Sequence, residues 1–190
     1  MAGSVPPALS FRSATVADAN AVAGLHADSW RRFYRGAYAD AFLDGDVVAD
    51  RHAVWSTRLA GQRPEALTIL AEAGGETGIA GFVHLLLDDH ERWGSLIDNL
   101  HVSHRHHRQG IGSALLARAA EAAVDRGTTR AMYLWVLEQN RAAQAFYAAH
   151  GGGCAERDLV PSPGGVRGRL NGRPARLRYV WPDAGVLLGR

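Results

Sequence analysis

The sequence predicts an α/β domain built on a mixed sheet. Three observations carry that reading. Apolar residues recur every three or four positions through the first third, then give way to short strand-like runs. The middle of the chain alternates strand, helix, strand, helix. The last third holds two more strand-like runs separated by the polar glycine/proline stretch VPSPGGVRGRLNGRP.

The elements follow in order. Residues 1–10 read as a flexible leader, 11–182 as a single domain and 183–190 as a C-terminal tail. Phe11–Thr15 suits a short edge strand. Thr15 and Asp18 then open a helix as a capping pair, with Val22, Leu25, His26, Ser29, Trp30 and Phe33 at helical spacing. A second helical segment, in one or two pieces, covers Ala39 to Leu59. Leu67–Ala73 and Gly78–Asp89 read as a hairpin around the turn GGET, and Gly94–Ser103 as a third strand. A helix is expected from Gly112 to Arg126, with Leu115, Leu116, Ala119, Ala122 and Ala123 as its apolar stripe and Gly127 as its cap. Ala131–Glu138 is strongly strand-forming. Asn140 is a natural N-cap for a short helix ended by glycines. Cys154–Leu159 and Ala175–Trp181 supply the last strands.

Composition narrows the function. At 190 residues, 47% hydrophobic and 21% charged, the chain can bury a sizeable core. No apolar run is long enough for a membrane span, and the N-terminus does not read as a secretory signal. Cys154 is the only cysteine, so no intramolecular disulfide is possible, and a cytoplasmic location is expected. A formal charge of +2 argues against nucleic acid as a partner. All 21 basic residues are arginine, which points to a GC-rich, bacterial genome and offers planar forks that suit phosphate.

One stretch gathers chemistry: HVSHRHHRQGIGSALL, His101 to Leu116. It lies between a strand and a helix. A helix N-terminus leaves about four N–H groups without partners and carries partial positive charge. Gly110 and Gly112 remove side chains that would block a ligand, so Arg108–Ser113 makes an anion cradle best suited to phosphates. Neither standard nucleotide motif fits. The lysine-containing phosphate loop is impossible in a chain without lysine, and Leu115 stands where the third glycine of GxGxxG belongs. The cluster His101, His104, His106 and His107 lacks the spacing and the cysteines of a closed zinc site, so no metal is expected and the histidines read as solvated loop residues.

LIDNLHVSHRHHRQGIGSALL followed by MYLWVLEQNRAAQAFYAAHGG resembles the core of the GCN5-related N-acetyltransferases (GNAT), most specifically over Ser95–Gly152. The glycine loop fits the family's [RQ]-x-x-G-x-[GA] pattern except that His107 takes the Arg/Gln position, and Asn140, Ala143, Phe146 and Tyr147 fit its N-x-x-A-x-x-F-Y. The resemblance implies a mixed, mostly antiparallel central sheet of six to seven strands flanked by about four helices and splayed at the two central strands. It implies acetyl-CoA as acyl donor, held by Leu100, His101, Val102, His107, Arg108, Gln109, Gly110, Ile111, Gly112, Ser113, Asn140, Ala143, Phe146 and Tyr147. It implies transfer of the acetyl group to a primary amine of a small molecule or peptide by direct attack in a ternary complex. It leaves open a homodimer, and also a non-catalytic acyl-CoA sensor of the same fold, for which His107 is the one supporting departure.

Two catalytic roles follow from the resemblance. A leaving thiolate has a conjugate acid near pKa ~8.5 and a tyrosine titrates near ~10, so Tyr147 can donate the proton. The attacking amine must lose one, and Asp98 is the expected acceptor, ahead of Glu138 and His101. Tyr147 and Asp98 also have structural readings, as core packing and as a hydrogen-bonded carboxylate. Trp30, Phe33, Tyr34 and Tyr38 are candidates for the acceptor wall, or else for interhelix packing. Arg167, Arg169, Arg173, Arg176 and Arg178 read mainly as solvated faces, with recognition of an acidic acceptor as the alternative.

Overall fold

A computed structural model describes residues 9–61, 63–74 and 78–189. Seven strands form one sheet in the order β1 (Leu9–Ser13), β2 (Ala66–Ala73), β3 (Gly81–His90), β4 (Gly94–Val102), β5 (Met132–Leu137), β7 (Ala175–Trp181), β6 (Gly153–Leu159). Five α-helices flank it: α1 (Ala19–Phe33), α2 (Asp40–Asp44), α3 (Val47–Ala60), α4 (Ile111–Arg126) and α5 (Arg141–Ala149). The β4–β5 pair is parallel and all other neighbours are antiparallel.

Most expected elements are present within a residue or two. The second helical segment divides into α2 and α3. β1 begins at Leu9, inside the expected leader, because Leu9–Ser13 pairs with Ala73–Ile69 of β2; residues 1–8, and 75–77 of the expected turn, lie outside the described residues. The expected C-terminal tail, 183–190, carries packed residues at its start. Ala184 and Leu187 are buried in the core, and Asp183 ties the segment down through Gly185 N–H at 2.8 Å and Arg130 Nε at 2.9 Å.

Both faces of the sheet are covered in its first half, and strand alternation decides which residue meets which layer. On β3, Val83, Leu85 and Leu87 join Leu115, Leu116, Ala119, Ala120 and Ala123 of α4 in the main core. Phe82, from the opposite face, packs with Val22 and Ala23 of α1 and Trp55 of α3. A third cluster joins Trp30, Tyr38, Phe42, Leu43, Val47 and Leu137. There Arg169 donates to Asp50 at 2.6 Å and lies over the Phe42 ring, stapling the glycine/proline stretch onto α2 and α3. The arginines read as solvated are therefore partly packed: Arg176 and Arg178 flank the Trp135 ring at 4.1 and 4.4 Å and pair with Asp158 and Glu156, each at 3.0 Å.

Two irregularities of β4 create the site. Its pairing with β5 covers only Ser95–Ile97 against Met132–Leu134, after which the strands part. Its pairing with β3 skips Asp98: His84 faces Asn99 and Leu85 faces Ile97. This bulge shifts the alternation by one residue. Ile97 packs on the α4 side before it, and Leu100 and Val102 do so after it. His101 then falls on the α1 side, tilted against His26 with ring centroids 4.6 Å apart.

Candidate active site

The parting strands open a cavity of ≈ 530 Å³. One wall is β4 from Ile97 to Val102. The other is β5 from Leu134 to Leu137, with Ala143, Phe146 and Tyr147 from α5 and its N-cap Asn140. The loop before α4 closes one end. Every expected coenzyme-binding residue lines this cavity except Gln109, whose side chain bonds back to the Arg105 carbonyl at 3.4 Å.

The anion cradle is built from backbone conformation. Arg108 sits at φ 63° and Gly110, the N-cap of α4, at φ 79°. Left-handed residues among right-handed ones turn successive N–H groups toward one concavity. For a non-glycine such as Arg108 that conformation is costly, and such strain concentrates at ligand sites. Among the described residues, no acceptor meets the amides of Arg108 to Ser113; the first backbone bond of the helix is Ala114 N–H to Gly110 O, 3.0 Å. A Cβ on Gly112 would stand 3.5 Å from Phe146 and 3.8 Å from Val102, in the mouth of the cavity. Unpaired amides, a helix N-terminus and a side-chain-free approach suit a diphosphate.

Neighbouring side chains make the cradle rigid. His107 spends Nε2 on the Val102 carbonyl at 3.1 Å and stacks on Phe33 at 5.9 Å, so it caps the end of β4. Asn140 caps α5 by accepting from Ala143 N–H at 3.1 Å. His150, which sequence reasoning missed, contacts Ser113 Oγ at 2.9 Å and the Phe146 carbonyl at 2.8 Å. A carbonyl only accepts, so Nδ1 of His150 carries the proton there. His101 and His106 depart from the expected solvated state and are buried. Desolvation pushes the His101 imidazole down to about 4, against the pull of Asp98, so it is neutral at pH 7. Its Nδ1 lies 2.8 Å from Ser29 Oγ.

The two expected catalytic residues both face the cavity. Tyr147 is buried, which pushes its phenol well above the usual tyrosine range, with Tyr34 adding to the effect. It therefore holds its proton, and its hydroxyl makes no hydrogen bond among the described residues. Asp98 is not idle: Arg58 Nη1 lies 2.7 Å from its Oδ2 and donates to Asn99 Oδ1 at 3.1 Å. The bulge makes this fork possible, because it brings two successive side chains to one guanidinium. Of the acceptor-wall candidates, Tyr34 lines the cavity and is pushed up to about 12 by burial, then by Asp98. Trp30 and Tyr38 do not line it; they pack in the cluster behind Tyr34, with Trp30 stacked on Tyr34 at 5.4 Å and edge-on to Tyr38 at 4.9 Å. Phe33, the fourth candidate, lines the cavity as well; Ser29, Asn99 and Trp135 also line the wall and were not singled out from sequence. Helical spacing marked Ser29 as facing inward, but nothing local distinguished a cavity from a core. Among the described residues, no group of three metal-ligating side chains gathers.

Residues 25–151, more than half of the chain, match the Acetyltransferase (GNAT) family. The chain belongs to that family. A Bacillus subtilis relative described as an uncharacterized N-acetyltransferase, YuaI, is 27% identical over 182 residues, covering 94% of this chain and 96% of its own. A GCN5-related N-acetyltransferase structure from Rhodopseudomonas palustris superposes with a TM-score of 0.69 at 22% identity, over 94% of this chain and 98% of that one. PaiA N-acetyltransferase from Thermoplasma acidophilum, in complex with coenzyme A, superposes at 0.67 with 16% identity, over 92% and 99%. At these identities the structures establish the fold: a GNAT sheet, open between β4 and β5.

Proposed function

We propose that this protein transfers an acetyl group from acetyl-CoA to a primary amine of a small molecule or peptide, by direct attack within a ternary complex. The observation that carries the reading is the continuity of one cavity from the unpaired amides of Arg108–Ser113, along the open edge of β4, to Tyr147 and Asp98. The coenzyme A complex of the Thermoplasma relative supports the donor assignment.

Each residue then has a task. The amides from Arg108 to Ser113 hold the pyrophosphate. The exposed main chain of Leu100–Val102 takes the pantetheine arm as an added strand, and its N–H groups polarise the thioester carbonyl. The amine nitrogen forms a bond to the carbonyl carbon, and the carbon–sulfur bond breaks. Tyr147 gives its proton to the leaving sulfur. The amine proton passes to Asp98, for whose Oδ2 it competes with Arg58. Tyr34, Phe33 and Trp135 shape the apolar side of the acceptor site.

The test is thiol release from acetyl-CoA with a panel of primary amines. Initial rates with both substrates varied should give intersecting lines. Parallel lines, meaning a covalent acetyl-enzyme, would contradict direct attack. Coenzyme binding without thiol release from any amine would favour the sensor reading.

A further inference from the structure

A second cleft lies between the C-terminal end of α3, the start of β2 and the end of α4, with a volume of ≈ 270 Å³. Its polar lining is Arg58, Arg63, Arg126, His84, Thr68 and Ser13. Three guanidinium groups gather there, and among the described residues no carboxylate lines the cleft. Arg126 is pinned by donating to the Pro64 carbonyl at 2.6 Å, which takes up hydrogen bonding but no charge. The acid on Arg63 is Glu65, 3.9 Å away, with both side chains largely exposed. His84 is pushed down to about 4 by burial, then by Arg58, so it adds no charge at neutral pH. Its Nδ1 is 2.8 Å from Thr68 Oγ1. The cleft therefore keeps an excess of positive charge that the protein does not neutralise.

Arg58 lines the second cleft and also reaches two residues that line the first, Asp98 and Asn99. Its Nη1 is committed to Asp98 and Asn99 in the first. Its other nitrogens make no hydrogen bond among the described residues, while the Trp55 ring supports the guanidinium at 5.1 Å. An anion in the second cleft and the Asp98 carboxylate would draw on the same guanidinium. Two sites that share one group are coupled, and the coupling is reciprocal.

We propose that this cleft is a second binding site for a small anion, a carboxylate or a phosphate, and that its occupancy is felt at Asp98 through Arg58. The binding half stands by itself; the effect on turnover rests on the acetyl-transfer reading above. An anion that draws Arg58 toward the second cleft leaves Asp98 Oδ2 open to the proton of the attacking amine.

The experiment keeps the protein saturated with coenzyme A, so that the loop before α4 is already filled. Melting is followed in sodium phosphate, sodium acetate and sodium chloride at equal ionic strength. The expected result is a rise of a few degrees in phosphate or acetate over chloride, the better salt identifying the anion class. The rise is lost in the double variant Arg63→Ala/Arg126→Ala and reduced in the single exposed variant Arg126→Gln. Identical midpoints in all three salts, or a rise that survives both variants, would overturn the site. Melting reads the cleft whether or not any amine is acetylated, so failure here and failure of the activity are separable. The coupling is read by turnover with and without the better anion. A change of two-fold or more in the parent protein, absent from the double variant, is expected; equal turnover in a protein whose melting does respond would overturn the link through Arg58.

Discussion

The half of the cavity proposed for the donor and the half proposed for the acceptor are built differently. The donor half runs without a break in sequence from β4 through the loop and α4 to β5 and α5, and its chemistry lies largely in the backbone: unpaired amides, a left-handed cap at Gly110, an open strand edge. The half proposed for the acceptor is lined from α1, β4 and β5, with Arg58 of α3 behind it, and its chemistry lies in side chains brought together over long separations, as in Arg58 with Asp98 and Ser29 with His101. The first can be read from a motif. The second exists only after folding, and its residues serve packing and chemistry together.

The sharpest way to separate the halves is to remove chemistry without shape. Tyr147→Phe keeps the buried ring and removes the proton. Turnover should fall on the order of 100-fold or more, the range of general acid catalysis, with coenzyme affinity nearly unchanged. Unchanged turnover across pH 6–9 would remove Tyr147 from the mechanism. The acceptor wall is tested from behind. Trp30→Ala, at a position 6% exposed, should cost about 3–5 kcal/mol in chemical denaturation, while coenzyme affinity of the folded fraction stays close to that of the parent. A selective loss of coenzyme binding would show that the halves are not separable.

Acid should weaken the acceptor side. His101 titrates near 4 in the fold, below the ordinary ~6.5 of an unfolded histidine, so the unfolded chain binds more protons in that window. Stability should therefore be complete above about pH 6.5 and fall as pH drops toward 4, by about 3 kcal/mol from His101 at most. His26, buried and pushed down by the same desolvation, acts in the same direction. His101→Gln should flatten this part of the stability profile; an unchanged slope would contradict the assignment. The smallest effect belongs to the turn itself. Gly110→Ala meets no neighbour within 4 Å but must hold φ 79°, so it should cost about 1 kcal/mol in folding.

Much of this was legible because it is local. Apolar periodicity located the sheet and helices, and the Gly110–Gly112 spacing located the cradle. The bulge at Asp98 was not legible: it follows from a pairing between strands, and LIDNLHV carries no glycine or proline to announce it. For the same reason Arg58 stayed unmarked, 40 residues before the carboxylate it holds. Trp30 and Tyr38 show the reverse limit. Their spacing fits a core and a pocket wall equally, and only the fold decides that Tyr34 takes the wall and they take the packing behind it. Tail residues Ala184 and Leu187 are buried by contact with α4, which a short unpatterned segment cannot foretell.

The most direct measurement is calorimetric titration of Gly112→Asp with coenzyme A and with pantetheine, which lacks the phosphates. A carboxylate in the first turn of α4 favours the helix, and its Cβ meets Phe146 at an ordinary 3.5 Å, so folding should be unimpaired. If the amides of Arg108–Ser113 hold the pyrophosphate, coenzyme A should bind at least tenfold more weakly while the weaker binding of pantetheine stays as it was. Equal loss for both ligands, or no loss for coenzyme A, would contradict that placement.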